Sequence, residues 1–395
     1  MNQPASLAHT RAVRLSGYLR EDPHNPALLA DACDAALAAG LHTLARQHMD
    51  TAAALGLDPA AWTFRRARSC IAQRQLEDAE RLLTQLLAAH DRNPAIAHDL
   101  AYVRLLQGAF DASRVLLAPW IDGNEPVEPD MREALQVLWL RAAHRLDDLD
   151  AAWEWAERQR AQGLLQPAAC GVASLLALDL GRFEDARGLA DGALALRPRQ
   201  AEALVTRGSL ALADRNAFRA THLLEQALQA NPDDGRTWSA LGLCSLQAQD
   251  WPAAQVRFER ALQAMSAHVG TWHALGWSRL LQQDTQGALD AFGRALDLDR
   301  NFAESHGALG LALAVAGQRA DAEAHLDVAR RLDPSNVTGR YAQALLAGEA
   351  ADPERLRILA DRLLDRPGFG RSTLAEEVRS ALAARSGAPP SSRLP

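Results

Sequence analysis

The sequence predicts an all-α protein, a right-handed α-solenoid of about nine helix–turn–helix units with capping helices at its N- and C-termini. Three observations predict this class. The chain repeats itself every 34 residues, small residues recur at fixed positions in each repeat, and prolines recur where repeats end. A repeat of this length cannot bury its apolar face alone, so neighbouring units have to stack on one another.

The period is clearest between Gly235 and Pro334. Three segments that each end in glycine align at a spacing of 34 residues: Trp238–Gly242, Trp272–Gly276 and His306–Gly310. The second helix of each unit repeats a small, a large and a small side chain: Ala254, Phe258 and Ala261; Ala288, Phe292 and Ala295; Ala322, Leu326 and Ala329. A glycine at the eighth position of the first helix, helix A, lets the second helix, helix B, approach closely, and the large side chain fills the gap.

This pattern resembles the tetratricopeptide repeat of bacterial multi-repeat proteins. The turn Gly181-Arg-Phe-Glu-Asp-Ala186 is similar to the family's turn into helix B. The resemblance implies a protein without enzymatic activity, in which helix A of each unit lines a concave groove that binds a protein or peptide.

The predicted elements follow in order along the chain. Residues 1–25 form an N-terminal capping helix, and residues 26–121 form units one to three, which match the repeat pattern less closely. Residues 122–132 carry the five residues by which the spacing here exceeds 34; with two prolines, one glycine and four acidic residues they predict an irregular exposed loop. The sequence leaves open whether this loop is a hinge or a binding element.

From residue 133 to residue 336 the spacing does not slip, and we predict units four to nine there. Residues 337–386 are predicted to form a degenerate tenth unit and the C-terminal capping helices, and residues 387–395 a disordered tail.

Charge and hydropathy limit the classes of partner. The net charge is −7 and its charges are interspersed, without the basic stripe that follows nucleic-acid phosphates, so no nucleic-acid partner is expected. No apolar run reaches the roughly 18–20 residues needed to span a bilayer, and the N-terminus lacks a secretion signal. We therefore expect no membrane insertion and a cytoplasmic location, and the oligomeric state stays open.

Motifs for chemistry are weak. The cysteines at 33, 70, 170 and 244 share no CxxC spacing, and no HxxxH or HExxH pair predicts a metal site. No phosphate-binding glycine loop or nucleophile elbow is present. Acidic pairs such as Asp147-Asp148 lie at turns, where aspartate favours helix caps. The sequence predicts no catalytic residue and no cofactor.

Helix positions that face the groove in the family provide the candidate site. It lacks the lysine and asparagine that clamp a carboxylate in some family members, and it is mostly apolar from unit five to unit nine. The candidate peptide-binding residues are Tyr102, Arg141, His144, Leu175, Ser209, Leu243, Leu246, His273, Trp277, Leu280, Leu311 and Tyr341. An open groove of this kind suits a hydrophobic or amphipathic segment, and Trp277→Glu would then abolish binding without loss of helicity. In the alternative, these leucines pack against each other and the groove is partly closed.

The sequence thus favours a scaffold or adaptor that binds a peptide segment in its concave groove. A peptide-responsive regulator and a cytoplasmic chaperone for subunits of a bacterial secretion or assembly system are the alternatives.

Overall fold

The computed structural model describes residues 7–122 and 125–348. Over this part of the chain the protein forms twenty α-helices and no strand, as the sequence predicts. The predicted C-terminal capping helices and the tail at 387–395 lie outside the described residues. The chain divides into two compact bodies, and the boundary falls between Arg197 and Pro198. We call them the N-terminal body and the C-terminal body.

The N-terminal body contains eleven helices in its described residues. They are α1 (Leu7–Glu21), α2 (Pro26–Ala38), α3 (His42–Ala54), α4 (Pro59–Ala72), α5 (Leu76–Ala89), α6 (Pro94–Leu106), α7 (Phe110–Ile121), α8 (Pro129–Arg145), α9 (Leu149–Ala161), α10 (Pro167–Asp179) and α11 (Phe183–Leu196).

The C-terminal body contains nine helices up to residue 348. They are α12 (Ala201–Ala213), α13 (Ala217–Ala230), α14 (Gly235–Gln247), α15 (Trp251–Ala264), α16 (Val269–Leu281), α17 (Thr285–Leu298), α18 (Ala303–Val315), α19 (Arg319–Leu332) and α20 (Val337–Leu346).

The same packing rule holds in both bodies. Each helix packs against the next one in the chain, and each even-numbered helix also packs against the next even-numbered helix of its body. The even-numbered helices are therefore the A helices of the repeat, and they form one layer. Helix α1 packs against α2, in the place predicted for the N-terminal cap.

Helix starts explain why the units begin where they do. In the N-terminal body α2, α4, α6, α8 and α10 all have proline in the first turn, where its fixed φ suits a helix and its missing N–H costs nothing. The side chains of Asn25, Asp58 and Asn93 cap the first three of these helices. In the C-terminal body Asp234, Gln200 and Asn336 cap helices A in the same way.

The predicted contact between the glycine of helix A and the large residue of helix B is confirmed. A Cβ atom added to Gly242 would lie 2.4 Å from the ring of Phe258, and one added to Gly276 would lie 2.5 Å from the ring of Phe292. Both phenylalanines are fully buried. Glycine is therefore required at this position by the close approach of the two helices.

Nine turns between helix A and helix B lie in the described residues, and each contains a residue with positive φ at the same place. These residues are Gly40, Arg74, Gly108, Asp147, Gly181, Arg215, Gln249, Gln283 and Gly317. They follow each other at 34 residues, except for the 39-residue step from Gly108 to Asp147. The turns thus reproduce the period that the sequence predicts.

The predicted loop at 122–132 is too long by four residues. Helix α8 begins at Pro129, so residues 129–132 are helical and α8 has 17 residues, where other A helices have 13 or 14. Proline at the helix start and Asp130 in the first turn both favour this extension. Part of the insertion therefore adds a helical turn rather than loop.

Candidate peptide-binding site

Three side chains at the same position of successive A helices form a row in the N-terminal body. Arg68 of α4, Tyr102 of α6 and Arg141 of α8 line one cleft of about 490 Å³. The other lining residues are Ile71, Ala72, His98, Asp99, Asp130, Glu133, Ala134, Val137, Leu138 and Ala168. The cleft thus combines an apolar lining with two cationic side chains.

The carboxylate of Asp99 has two partners inside the cleft. Its Oδ1 accepts a hydrogen bond from Nδ1 of His98 at 2.9 Å, and its Oδ2 lies 3.8 Å from Nε of Arg68. The Arg68 side chain is 54% exposed, so this contact is a loose surface ion pair.

Glu133 is buried and fully engaged. Its Oε1 accepts hydrogen bonds from the backbone N–H of Ala168 at 2.8 Å and from Nε of Arg197 at 3.1 Å, and its Oε2 also contacts the Arg197 guanidinium. This ion pair ties the start of α8 to the start of α10 and to the residue after α11. Glu133 therefore shapes the wall of the cleft, and its charge is balanced by Arg197.

The extra turn of α8 supplies one end of the cleft. Asp130 lines it, and it also lines a second cavity of about 640 Å³. The second cavity is bounded by Pro94, Pro126, Val127, Glu128, Asp130, Met131 and Arg132. The two cavities therefore meet at Asp130.

A model of the tetratricopeptide repeat matches residues 205–269 and 273–337. The chain is a tetratricopeptide-repeat protein. No curated protein sequence matches it.

Solved structures with a similar fold come from tetratricopeptide-repeat proteins. One is MamA, with 18% identity and a TM-score of 0.37 over 40% of this chain and 92% of that chain. Another is YrrB, described as a TPR protein with an unusual peptide-binding site, with 19% identity and a TM-score of 0.37 over 48% of this chain and 97% of that chain. A third is pilF of Pseudomonas aeruginosa, with 18% identity and a TM-score of 0.42 over 54% of this chain and 96% of that chain. The likeness concerns the repeat fold.

The candidate residues of the N-terminal body lie on the inner repeat positions. Tyr102 and Arg141 line the cleft. His144 and Leu175 are partly buried, and Nε2 of His144 lies 2.8 Å from Oδ2 of Asp179 on the next A helix. The structure thus brings Tyr102 and Arg141 together and directs His144 into a contact between units.

The candidate residues of the C-terminal body differ widely in exposure. Leu243 is 40% exposed, whereas Trp277 is 6% exposed. Leu246, His273 and Leu311 are buried as well, and Ser209, Leu280 and Tyr341 are partly buried. These tetratricopeptide repeats therefore do not present a continuous apolar strip to a ligand.

Trp277 is buried because the next helices cover it. Its ring meets Phe292 edge-on at 5.7 Å between centroids, and both belong to a core cluster with Leu311 and Leu326. Since each A helix packs against the next, a large inner side chain finds partners on the neighbouring unit. This is the self-packed arrangement that the sequence left as an alternative.

Several residues of the cleft escape the repeat pattern. Asp130 and Glu133 lie at or before the start of the predicted fourth unit, outside the positions that face the groove in this family. The one sequence signal for them is the 39-residue spacing, which the prediction assigns to a loop. Only the extra helical turn shows that these residues form a wall.

No other chemistry stands out in the described residues. No group of three or more histidine, cysteine, aspartate or glutamate residues could hold a metal ion there. Within the same ranges, no helix is both long and apolar enough to cross a bilayer. The four cysteines are unpaired, and burial raises the pKa of each thiol, to about 11 for Cys33. A raised pKa keeps these thiols protonated and poorly nucleophilic.

Proposed function

We propose that this tetratricopeptide-repeat protein is a non-enzymatic, cytoplasmic scaffold that binds an extended segment of a partner protein in the cleft between α4, α6 and α8. The observation that carries the proposal is the row of Arg68, Tyr102 and Arg141 beside an apolar lining. A guanidinium group binds a carboxylate through paired hydrogen bonds, and a tyrosine offers an apolar ring and a hydroxyl. The segment therefore places an acidic side chain at the arginines and apolar side chains against Ile71 and Val137.

The electrostatics of the cleft support an acidic ligand group. The charge of Glu133 is balanced by Arg197, and that of Asp99 is shared between His98 and Arg68. An exposed ion pair such as Arg68–Asp99 is worth about 0–1 kcal/mol, so Arg68 can exchange Asp99 for a ligand carboxylate at little cost.

This proposal differs from the sequence interpretation in the place and the chemistry of binding. The sequence places a hydrophobic or amphipathic segment along units five to nine. Four of the residues expected there are buried against other side chains: Leu246, His273, Trp277 and Leu311. The cleft of units two to four is the open concave site that the described residues offer, and its chemistry is mixed.

The test is selection of displayed 12-residue peptides on the full chain, followed by binding of the selected peptides to variants. Charge reversal by Arg68→Glu or Arg141→Glu should weaken binding tenfold or more, which corresponds to about 1.4 kcal/mol, because like charges then face each other. Arg66→Glu is the matched control, since Arg66 is exposed on the same helix and does not line the cleft.

The proposal predicts that the selected peptides are enriched in aspartate or glutamate. It is wrong if the selected peptides bind both charge-reversal variants as well as they bind the wild-type chain and the Arg66 control.

A further inference from the structure

The second cavity adds a separate apolar surface beyond the cleft. Pro94 at the start of α6 faces Pro126 and Val127 of the segment before α8 and Met131 of its first turn. Pro94, Val127 and Met131 are only partly buried, so their side chains keep accessible surface. We call these four residues the shelf.

The insertion between units three and four builds the shelf. Three of its residues belong to the segment 125–132, which includes most of the five extra residues of the 39-residue step. The other A helices begin at the first position of their unit or within one residue of it, so they carry no extra turn here. The shelf is therefore a feature that the regular repeat lacks.

The charges differ between the two ends of the combined surface. Arg68 and Arg141 line the cleft, whereas the exposed carboxylates of Glu128 and Asp130 stand at the shelf, beside Arg132. An acidic side chain is favoured at the arginines and disfavoured at the shelf, because like charges repel. The ligand's register is thereby fixed.

We propose, on the basis of the proposed function, that the bound segment continues past Asp130 and inserts a large aliphatic or aromatic side chain onto the shelf. The partner then carries a two-part motif, an acidic residue for the arginines and an apolar anchor for the shelf. From Arg141 to Met131 helix α8 rises about 15 Å at 1.5 Å per residue. An extended peptide advances about 3.3 Å per residue, so the two parts lie roughly four or five residues apart.

A small apolar shelf fits an anchor side chain better than a whole helix. Hot spots of binding are usually single large side chains that fill a pocket beside a polar rim. Here Glu128, Asp130 and Arg132 supply the rim. The shelf therefore contributes affinity for one residue of the segment, and the acidic residue at the arginines contributes separately.

The experiment compares the selected 12-residue peptides with versions that are truncated before their apolar anchor. Met131→Asp should weaken the full peptides at least tenfold and leave the truncated peptides unchanged, because these no longer reach the shelf. Val127→Ser is a milder second variant in case Met131→Asp disturbs α8. Val115→Asp is the control, because Val115 of α7 is 65% exposed and does not line either cavity.

Spacing gives a second readout. Peptides in which one to four Gly-Ser residues are inserted between the acidic residue and the anchor should lose at least tenfold in affinity, and deletion of two residues should do the same. Equal affinity at all spacings would overturn the shelf.

The outcomes separate the two proposals. If binding depends on Arg68 and Arg141 but not on Met131 or Val127, the shelf is wrong and the cleft stands. If no selected peptide depends on either arginine, the proposed function and the shelf are both wrong.

Discussion

His273 of α16 and Ser305 of α18 join two successive repeats through a buried hydrogen bond, with 2.9 Å between Nε2 and Oγ. Phe302 meets the same imidazole edge-on, at 5.6 Å between ring centroids. Nδ1 of His273 is buried and makes no hydrogen bond within the described residues. An unpaired buried N–H is rarer than an unpaired acceptor, so the arrangement favours the neutral tautomer in which Nε2–H donates to Ser305. Burial lowers the pKa of His273 to about 4.

This lowered pKa predicts a loss of stability in mild acid. The unfolded chain has the ordinary histidine pKa of 6.5, so between pH 6.5 and about 4 it binds a proton that the folded state does not. The contribution of His273 is fully present above pH 6.5 and decreases as the pH falls towards 4, by up to about 3 kcal/mol. Urea unfolding of the wild-type chain and of His273→Gln between pH 4 and 7.5 measures it.

Other histidines with lowered pKa also contribute to the acid sensitivity of the wild-type chain, among them His48 and His325. The difference between the two proteins isolates His273. Two stability curves that stay parallel through this pH range would show that His273 does not titrate as a buried group.

The contact of Gly276 with Phe292 predicts a destabilising effect of a single methyl group. In Gly276→Ala the new Cβ would lie 2.5 Å from the Phe292 ring, which must shift within a close-packed core. Overpacking of this kind costs about 1–3 kcal/mol. Gly293→Ala on α17 is the matched control, because its Cβ would meet nothing within 4 Å.

The control should stabilise the protein by up to about 1 kcal/mol, since alanine is the better helix former. Thermal unfolding followed by circular dichroism distinguishes the two glycines. Equal effects of the two substitutions would refute the packing argument.

The turns predict a stabilising substitution. Gln283 has a φ of 69°, a left-handed conformation that costs a residue with a Cβ atom about 1–2 kcal/mol. Gln283→Gly should therefore raise stability by about 1 kcal/mol. The reverse exchange, Gly317→Gln, occurs at the equivalent turn with a φ of 77° and should lower stability by a similar amount. Chemical unfolding of both variants tests this, and a loss of stability in Gln283→Gly would contradict it.

Trp277 is predicted to act on stability rather than on ligand binding. Removal of its buried side chain in Trp277→Ala should cost about 3–5 kcal/mol, whereas Leu243→Ala, at a side chain that is 40% exposed, should cost much less. Trp277→Glu should likewise lower the melting temperature strongly. The open-groove interpretation expects intact helicity in that variant, so the melting curve decides between the two arrangements.

The regular features of this protein follow from local sequence. The glycine of helix A, the phenylalanine of helix B and the turn residue lie within one unit, at offsets that the helix geometry fixes. For this reason Gly242, Phe258 and Gln249 occupy the places that a 34-residue period predicts. The period itself, read from the residues, is sufficient to assign the fold.

The candidate site follows from the sequence only in part. The repeat positions that face the groove include Arg68, Tyr102 and Arg141, which the structure brings to one cleft. They do not reveal the wall formed by Asp130, because that wall depends on how far α8 extends beyond the repeat. A proline and an acidic residue fit either a loop or a helix start, and the surrounding packing selects the helix.

The sequence by itself determined the all-α repeat, the position of its turns and the close contact inside each unit, because these depend on residues of a single unit. Only the tertiary structure decided which inner side chains reach solvent. Trp277 is covered by Phe292 of its own unit and lies in one cluster with Leu311 of the next, while Arg68 and Arg141 stay at an open cleft beside a lengthened helix. Exposure depends on the volumes and lengths of neighbouring units together, and no single repeat contains that information.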